Sequence, residues 1–240
     1  MEEGNKAILI DADHPDTHFL TKEQFRLLSK QVALGLIKAS LQPGNRVLVF
    51  SSNNVYFPSV FLGILMSGAI FTGANPSFSP RELAYQLKNS EATHMFVAAN
   101  QLPTALEAAA TVGLPKENIF VLDPSILPPV GTTPIAPSTT KDGLRMWTDL
   151  IADTQEQAKT WKWVEPQDPE TTAVVLISNL EPDPEVQKRS KGLGFLPMYH
   201  AYAQTYYISV YPHLNIPAYI MPSFDFEKML QHIQRFRISK

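Results

Sequence analysis

The sequence predicts an α/β fold of layered, doubly wound sheets with helices packed on their faces. Three observations carry this expectation. Short segments such as Arg46-Val47-Leu48-Val49-Phe50 are apolar or nearly so throughout, as strands covered on both faces are. Segments with apolar residues at helical spacing alternate with them along the chain. The 20 prolines fall largely where helices begin or loops turn.

Taken in order, Ala7 to Asp11 reads as a strand, Asp13-His14-Pro15-Asp16 as a turn, and Thr17 to Leu20 as the return strand of a hairpin. Thr21 and Gln24 form a capping box that opens a helix to about Ala39. Phe25, Leu28, Val32 and Leu36 are its buried stripe. Gln42 to Asn45 is a turn before the strand Arg46 to Phe50. The apolar run Val55 to Phe71 contains Pro58, Ser59 and Ser67 and falls short of a membrane span. It is read as a helix from about Tyr56 to Ser67 running into a strand, Ala69 to Thr72, with a membrane anchor as the alternative. Ser79, Pro80 and Glu82 have the pattern of a capped helix start. His94 to Ala98 is a strand, Pro103 to Thr111 a helix and Asn118 to Leu122 a strand. Asp123 to Asp142 is a proline-rich surface loop. Met146 to Ala152 is helical, and Thr172 to Ser178 is a buried strand. Asn179 to Lys191 is polar and charged. Leu193 to Leu196 is a strand, Tyr202 to Val210 a helix, Ala218 to Met221 a strand and Phe224 to Phe236 a helix.

Composition narrows the function classes. At 240 residues the chain can bury roughly 70–75% of its unfolded surface, enough for one or two globular units. A net charge of −3 provides no field for nucleic acid or an anionic membrane. The absence of cysteine excludes a disulfide framework, thiolate zinc and a cysteine nucleophile, and it fits a reducing compartment. The acidic start Met1 to Lys6 is unlike a secretory signal, so the protein is expected inside the cell, in the cytoplasm.

Several groupings resemble sites and are read otherwise. Asp11, Asp13, His14, Asp16 and His18 have the spacing of a hairpin tip more than of a metal centre. Gly192-Leu193-Gly194, after Lys188-Arg189-Ser190-Lys191, lacks the third glycine and the Gly-Lys-Ser/Thr ending of a phosphate loop. It is read as a solvated basic turn. No Gly-x-Ser-x-Gly elbow supports a serine nucleophile. His94, His213 and His232 show no partner pattern.

Four segments, in order, carry a resemblance. They are Gln42-Pro43-Gly44-Asn45-Arg46-Val47 with Ser52-Asn53-Asn54, and Gly68 to Pro76 running into Glu82 to Leu87. The others are Thr172 to Ser178, and Leu196-Pro197-Met198-Tyr199-His200-Ala201-Tyr202. Together they resemble the adenylate-forming superfamily, especially acyl- and aryl-CoA ligases of the 4-coumarate and phenylacetate type. The resemblance implies the large N-terminal domain of that fold, here in part only, over residues 1–240. It implies ATP with magnesium and CoA as co-substrates and an acyl or aryl carboxylic acid as substrate. A carboxylate attacks the α-phosphate of ATP, and the resulting acyl-adenylate passes to a thiol. His200 would lie at the mouth of the acyl pocket, and Tyr199, Tyr202 and Tyr206 would line it. The alternatives are a helix-capping His200 and ordinary aromatic packing of Tyr202 on Tyr206.

The departures are equally specific. Family members place a Ser/Thr/Gly-rich loop ending in Pro-Lys-Gly after the strand that here ends at Ser178. This chain has Asn179-Leu180-Glu181-Pro182-Asp183-Pro184-Glu185 instead, so Ser178 is the one remnant of a cofactor-binding loop. Family segments for adenine, ribose and magnesium, and a C-terminal domain with a catalytic lysine, lie beyond the matched part. The expectation is a truncated ligase-like protein, unable to adenylate alone and without catalytic or metal-binding residues of its own. The alternatives are a non-catalytic acyl- or aryl-binding accessory module and a fragment of a longer active ligase. A sheet lacking later strands is expected to self-associate or to take a partner chain.

Overall fold

A computed structural model describes residues 6–124, 143–164 and 190–239. The strand expected at Thr172–Ser178, the segment Asn179–Arg189 and most of the Asp123–Asp142 loop lie outside the described residues. The strands are β1 (Ala7–Asp11), β2 (Phe19–Thr21), β3 (Arg46–Phe50), β4 (Ile70–Ala74), β5 (Ala92–Ala98), β6 (Ile119–Leu122), β7 (Arg145–Met146), β8 (Gly192–Gly194) and β9 (Ala218–Ile220). The helices are α1 (Lys22–Lys38), α2 (Phe57–Met66), α3 (Pro80–Asn89), α4 (Leu102–Val112), α5 (Trp147–Ala152) and α6 (Gln155–Thr160). A helical stretch over 201–213, α7, and α8 (Phe226–Phe236) complete the set. The chain forms two compact units. One comprises Met1–Arg26, Asn53–Pro58 and Val174–Lys240; the other comprises Leu27–Ser52 and Ser59–Ala173.

The second unit holds a five-stranded sheet in the order β4-β3-β5-β6-β7, parallel at every pairing. Order and direction match the doubly wound arrangement expected from alternating strands and helices. One face carries Leu48, Phe50, Met95, Val97, Ile119 and Val121. They pack against Leu83 and Leu87 of α3 and against Ala105, Ala108 and Ala109 of α4. The alternate residues Val47, Val49, Phe96 and Phe120 are also fully buried, so both faces are covered. Ser79 and Glu82 make the expected reciprocal cap of α3, with Ser79 N donating to Glu82 Oε2 at 2.8 Å. The α4 helix ends on Gly113 at φ 74°, a left-handed cap that favours glycine. Gln86 of α3 donates to Gly73 O of the edge strand β4 at 3.0 Å, which occupies an otherwise open carbonyl.

Two features of this unit depart from expectation. The strand after α2 begins at Ile70, because Gly68 turns the chain at φ 82° before pairing with β3 starts. Helix α6 has almost no apolar signal. Buried Thr154 supports its start, with Oγ1 donating to Ile151 O at 3.0 Å and its carbonyl accepting from Ala158 N at 2.8 Å.

The first unit holds a four-stranded sheet in the order β2-β1-β9-β8. The β1–β2 pair is antiparallel and the rest are parallel. The Thr21–Gln24 capping box forms as expected, with Thr21 N donating to Gln24 Oε1 at 2.8 Å. The acidic cluster after β1 is a turn: Asp11 Oδ1 accepts from the N–H groups of Asp13 and His14 at 2.9 and 2.8 Å. Gly192-Leu193-Gly194 is not a solvated basic turn. Among the described residues it is the buried edge strand β8, in which Gly192 leaves room for the Tyr211 ring and Gly194 for the Ile220 side chain. The histidines also need correction. His94 Nδ1 lies 2.9 Å from Thr93 Oγ1, and the ring stacks on Phe120. Buried His232 places Nε2 3.3 Å from Asp13 Oδ1. Among the described residues no helix is long and apolar enough to cross a membrane.

Candidate functional site

The candidate residues sit on the loop after β8 and on the first turns of α7, within the first unit. Asn53, buried just after β3, holds that loop at two points. Its Nδ2 donates to Leu196 O at 2.9 Å, and its Oδ1 accepts from Met198 N at 2.7 Å. Gln204 Nε2 donates to Met198 O at 3.0 Å from the other side. The side chain of Met198 is fully buried, so the loop is anchored at its centre while Tyr199 and His200 project beyond it.

His200 occupies the position before α7, but its side chain makes no cap hydrogen bond. Its carbonyl accepts from Gln204 N at 3.2 Å, and its exposed ring lies 6.2 Å from that of Tyr199. The capping alternative therefore holds for the backbone of His200 and not for its imidazole.

The helix that follows is unusual. Ala201–Ala203 is α-helical, Gln204–Val210 is a π-helix and Tyr211–His213 returns to α. Tyr211 N–H reaches back to Tyr206 O, five residues earlier. Pro212 has no N–H to continue an α-ladder, and Thr205 Oγ1 donates back to Ala201 O at 2.8 Å. The wider register brings Tyr211 towards Tyr206, five residues earlier; the i, i+4 pairs Tyr202–Tyr206 and Tyr207–Tyr211 are neighbours as on an α-helix. Tyr202 and Tyr206 lie 4.6 Å apart by ring centroid, Tyr206 and Tyr211 6.3 Å, and Tyr207 and Tyr211 5.8 Å.

Three of these phenols, Tyr202, Tyr207 and Tyr211, are shifted further towards the neutral form. Burial pushes the Tyr207 hydroxyl up to about 12, against an opposing pull from the backbone N–H groups of Leu196 and Phe195. Burial also raises Tyr211, while Tyr202, which is exposed, is raised by the neighbouring Tyr206. The arrangement is a row of aromatic rings with phenol hydroxyls that can donate, starting two residues after His200. It can stack an apolar ring or chain and donate hydrogen bonds to a carboxylate.

The structure brings Tyr202 and Tyr206 together, and separately Tyr199 and His200. Ser178 lies outside the described residues. Asn53, Gln204, Tyr207 and Tyr211 were not singled out from sequence as site residues. Spacings of four and five among Tyr202, Tyr206, Tyr207 and Tyr211, followed by Pro212, are the signal that could have found the row. An open groove of about 950 Å³ runs between α3 and α4 in the second unit, and none of the candidate residues line it. Among the described residues there is no group of three or more His, Asp or Glu side chains able to hold a metal ion.

Known proteins place these features in a family. The profile of the AMP-binding enzyme family matches residues 2–178. Phenylacetyl-CoA ligase epaB of Aspergillus niger is 31% identical over 149 residues, 62% of this chain and 26% of that protein. The 4-coumarate–CoA ligase 1 of Petroselinum crispum is 36% identical over 107 residues, 45% of this chain and 19% of that protein. The luciferase-like enzyme of Zophobas morio superposes with a TM-score of 0.75 at 17% identity, covering 99% of this chain and 55% of that one. A red-emitting luciferase of Phrixothrix hirtus gives 0.74 at 19% identity, covering 97% of this chain and 59% of that one. The chain thus matches about a quarter or less of the length of these curated relatives and just over half that of the solved structures. The profile match extends from the first hairpin through the whole five-stranded parallel sheet, and the chain belongs to the AMP-binding enzyme family.

Proposed function

We propose that residues 1–240 are a partial large domain of the ligase fold that binds an acyl or aryl carboxylic acid and, as this polypeptide, forms no acyl-adenylate. Tyr199, His200, Tyr202 and Tyr206 hold the acid. The setting is intracellular aromatic, fatty or specialised-metabolite chemistry. The observation that carries the negative half is Asn179–Glu185, which stands where the family keeps its phosphate loop. Pro182 and Pro184 have no N–H to offer a phosphate, and Glu181, Asp183 and Glu185 repel one. Of that loop Ser178 is the one remnant. Losing a single oxyanion-type donor costs about 2.7–4 kcal/mol of transition-state stabilisation. This chain replaces a whole loop of them.

The row of tyrosine rings that begins two residues after His200 supports the binding half. Two measurements test the proposal. Acid-dependent ATP–pyrophosphate exchange, run with phenylacetate, 4-coumarate and a medium-chain fatty acid, is expected to stay at background; robust exchange overturns the negative half. Calorimetry with the same acids is expected to show saturable binding that Tyr202→Ala weakens about tenfold, the loss of one good contact. Failure of every acid to bind overturns the positive half.

A second reading is favoured by the matched share of the relatives, 26% of phenylacetyl-CoA ligase epaB. On that reading these residues belong to a longer active ligase. Sequencing the mature transcript separates the two: an open reading frame continuing into the family's remaining segments supports the second.

A further inference from the structure

The loop that carries Tyr199 and His200 is shaped less by its own backbone than by two buried amides. Its backbone bonds are His200 N donating to Pro197 O at 3.0 Å and Gln204 N donating to His200 O at 3.2 Å. The peptide groups on either side of Pro197 are met by side chains. Asn53 Nδ2 donates to Leu196 O at 2.9 Å, and Asn53 Oδ1 accepts from Met198 N at 2.7 Å. Gln204 Nε2 donates to Met198 O at 3.0 Å. Asn53 and Gln204 are 7% and 6% exposed, and Met198 is fully buried. Pro197 holds its own φ and steers Leu196 towards extended backbone, so the stretch between the two contacts of Asn53 is stiff. His200 follows two residues after Met198 with its own N–H and C=O both bonded. Few backbone torsions remain free between the clamp and the imidazole.

We propose that Asn53 is a positioning residue for the acid-binding site: without touching the acid, it sets where the His200 imidazole points. The proposal rests on the reading above that His200 holds the acid. The side-chain type suits this role. Leu196 O can only accept and Met198 N can only donate, so the clamp needs a donor and an acceptor side by side, which an amide supplies. A carboxylate lacks the donor, and a hydroxyl is a single atom. An asparagine that only satisfied a buried loop would serve stability alone. This one acts on the two peptide groups that lead into His200, and it reaches them from 143 and 145 residues away in sequence.

Two measurements on the full chain test this, with circular dichroism to confirm folding. The first needs no ligand. The His200 ring lies 6.2 Å from that of Tyr199, where its proton resonances sense the neighbouring ring. In Asn53→Ala the His200 resonance, assigned by its loss in His200→Gln, is expected to move or broaden. Met95→Ala, a buried change in the five-stranded sheet, should leave it in place. The second is a double-mutant cycle read by calorimetry with phenylacetate or 4-coumarate, whichever binds the wild type more tightly. Asn53→Ala and His200→Gln are each expected to weaken binding about 10- to 100-fold, the worth of one hydrogen bond to a charged group. The double variant should bind within about threefold of His200→Gln, because Asn53 acts through that residue. Where Asn53→Ala does not fold, Asn53→Asp, which keeps an acceptor for Met198 N, takes its place. A folded variant with an unmoved His200 resonance overturns the proposal, and so do additive losses in the cycle. A wild type that binds neither acid overturns the reading above, and the His200 resonance then decides by itself whether Asn53 orients the imidazole.

Discussion

Replacing Asn53 by alanine removes the clamp on the Leu196–Met198 loop. Two hydrogen bonds go, at 2.9 Å to Leu196 O and at 2.7 Å from Met198 N. A typical net contribution is about 0.5–1.5 kcal/mol for each, and an orphaned buried donor costs about 1–3 kcal/mol. Asn53 is buried and the Met198 side chain is fully buried, so water compensates little at the Met198 amide. The expected loss is about 2–4 kcal/mol, read as a lower urea midpoint with an unchanged slope. Hydrogen exchange localises it: the Met198 amide should exchange at least about 30-fold faster, the equivalent of 2 kcal/mol. Asn53→Asp sharpens the test. Its carboxylate still accepts from Met198 N but presents a second acceptor to Leu196 O, so the ionised form clashes electrostatically. Protonation restores a donor, so relative to alanine the aspartate variant should gain stability as pH falls. An Asn53→Ala protein within about 0.5 kcal/mol of wild type, the range of an ordinary surface substitution, would refute the reasoning.

Gly192→Ala should destabilise by about 1–3 kcal/mol, since a Cβ there overlaps the Tyr211 ring, and trimming the ring with Tyr211→Leu should recover part of the loss. Chemical denaturation of the single and double variants decides it; additive losses would contradict the contact. Burial lowers the pKa of His94 below the ordinary histidine value, so the unfolded chain takes up the proton first as pH falls. Its contribution to stability is complete above about 6.5 and is lost as pH falls from there through the folded value. The stability difference between wild type and His94→Phe should therefore rise with pH through that window and level off above it; a flat difference would count against the assignment. Tyr202, 57% exposed, should be replaceable by alanine with a stability change within about 0.5 kcal/mol, which keeps any loss of acid binding separate from misfolding.

Local rules made much of the fold legible. Thr21 with Gln24 and Ser79 with Glu82 meet across a single helical turn, so their caps follow from spacing alone. The apolar run Arg46–Phe50 predicts a strand with both faces covered, and the sheet pairs it on both edges. What escaped was non-local or cooperative. Helix α6 depends on Thr154 bonding back to Ile151 rather than on an apolar stripe. The roles of Asn53 and Asp13 require partners far apart in sequence, 143 residues for Asn53 with Leu196 and 232 − 13 = 219 for Asp13 with His232. The approach of Tyr211 to Tyr206, five residues apart, depends on a π register that no α-helical periodicity describes.

The amino-acid sequence by itself determined the family, the alternation that makes the parallel sheet and the chemical poverty of Asn179–Glu185, because each resides in residue identity and short-range order. Tertiary structure alone decided that Gly192 clears the Tyr211 ring and Gly194 the Ile220 side chain, that His232 faces Asp13, and that Met229 and Phe236 are the side chains α8 packs on the sheet. The physical reason is burial. Which side of a helix meets its own domain, and which buried polar atom finds a partner, is set by what the rest of the chain packs against it.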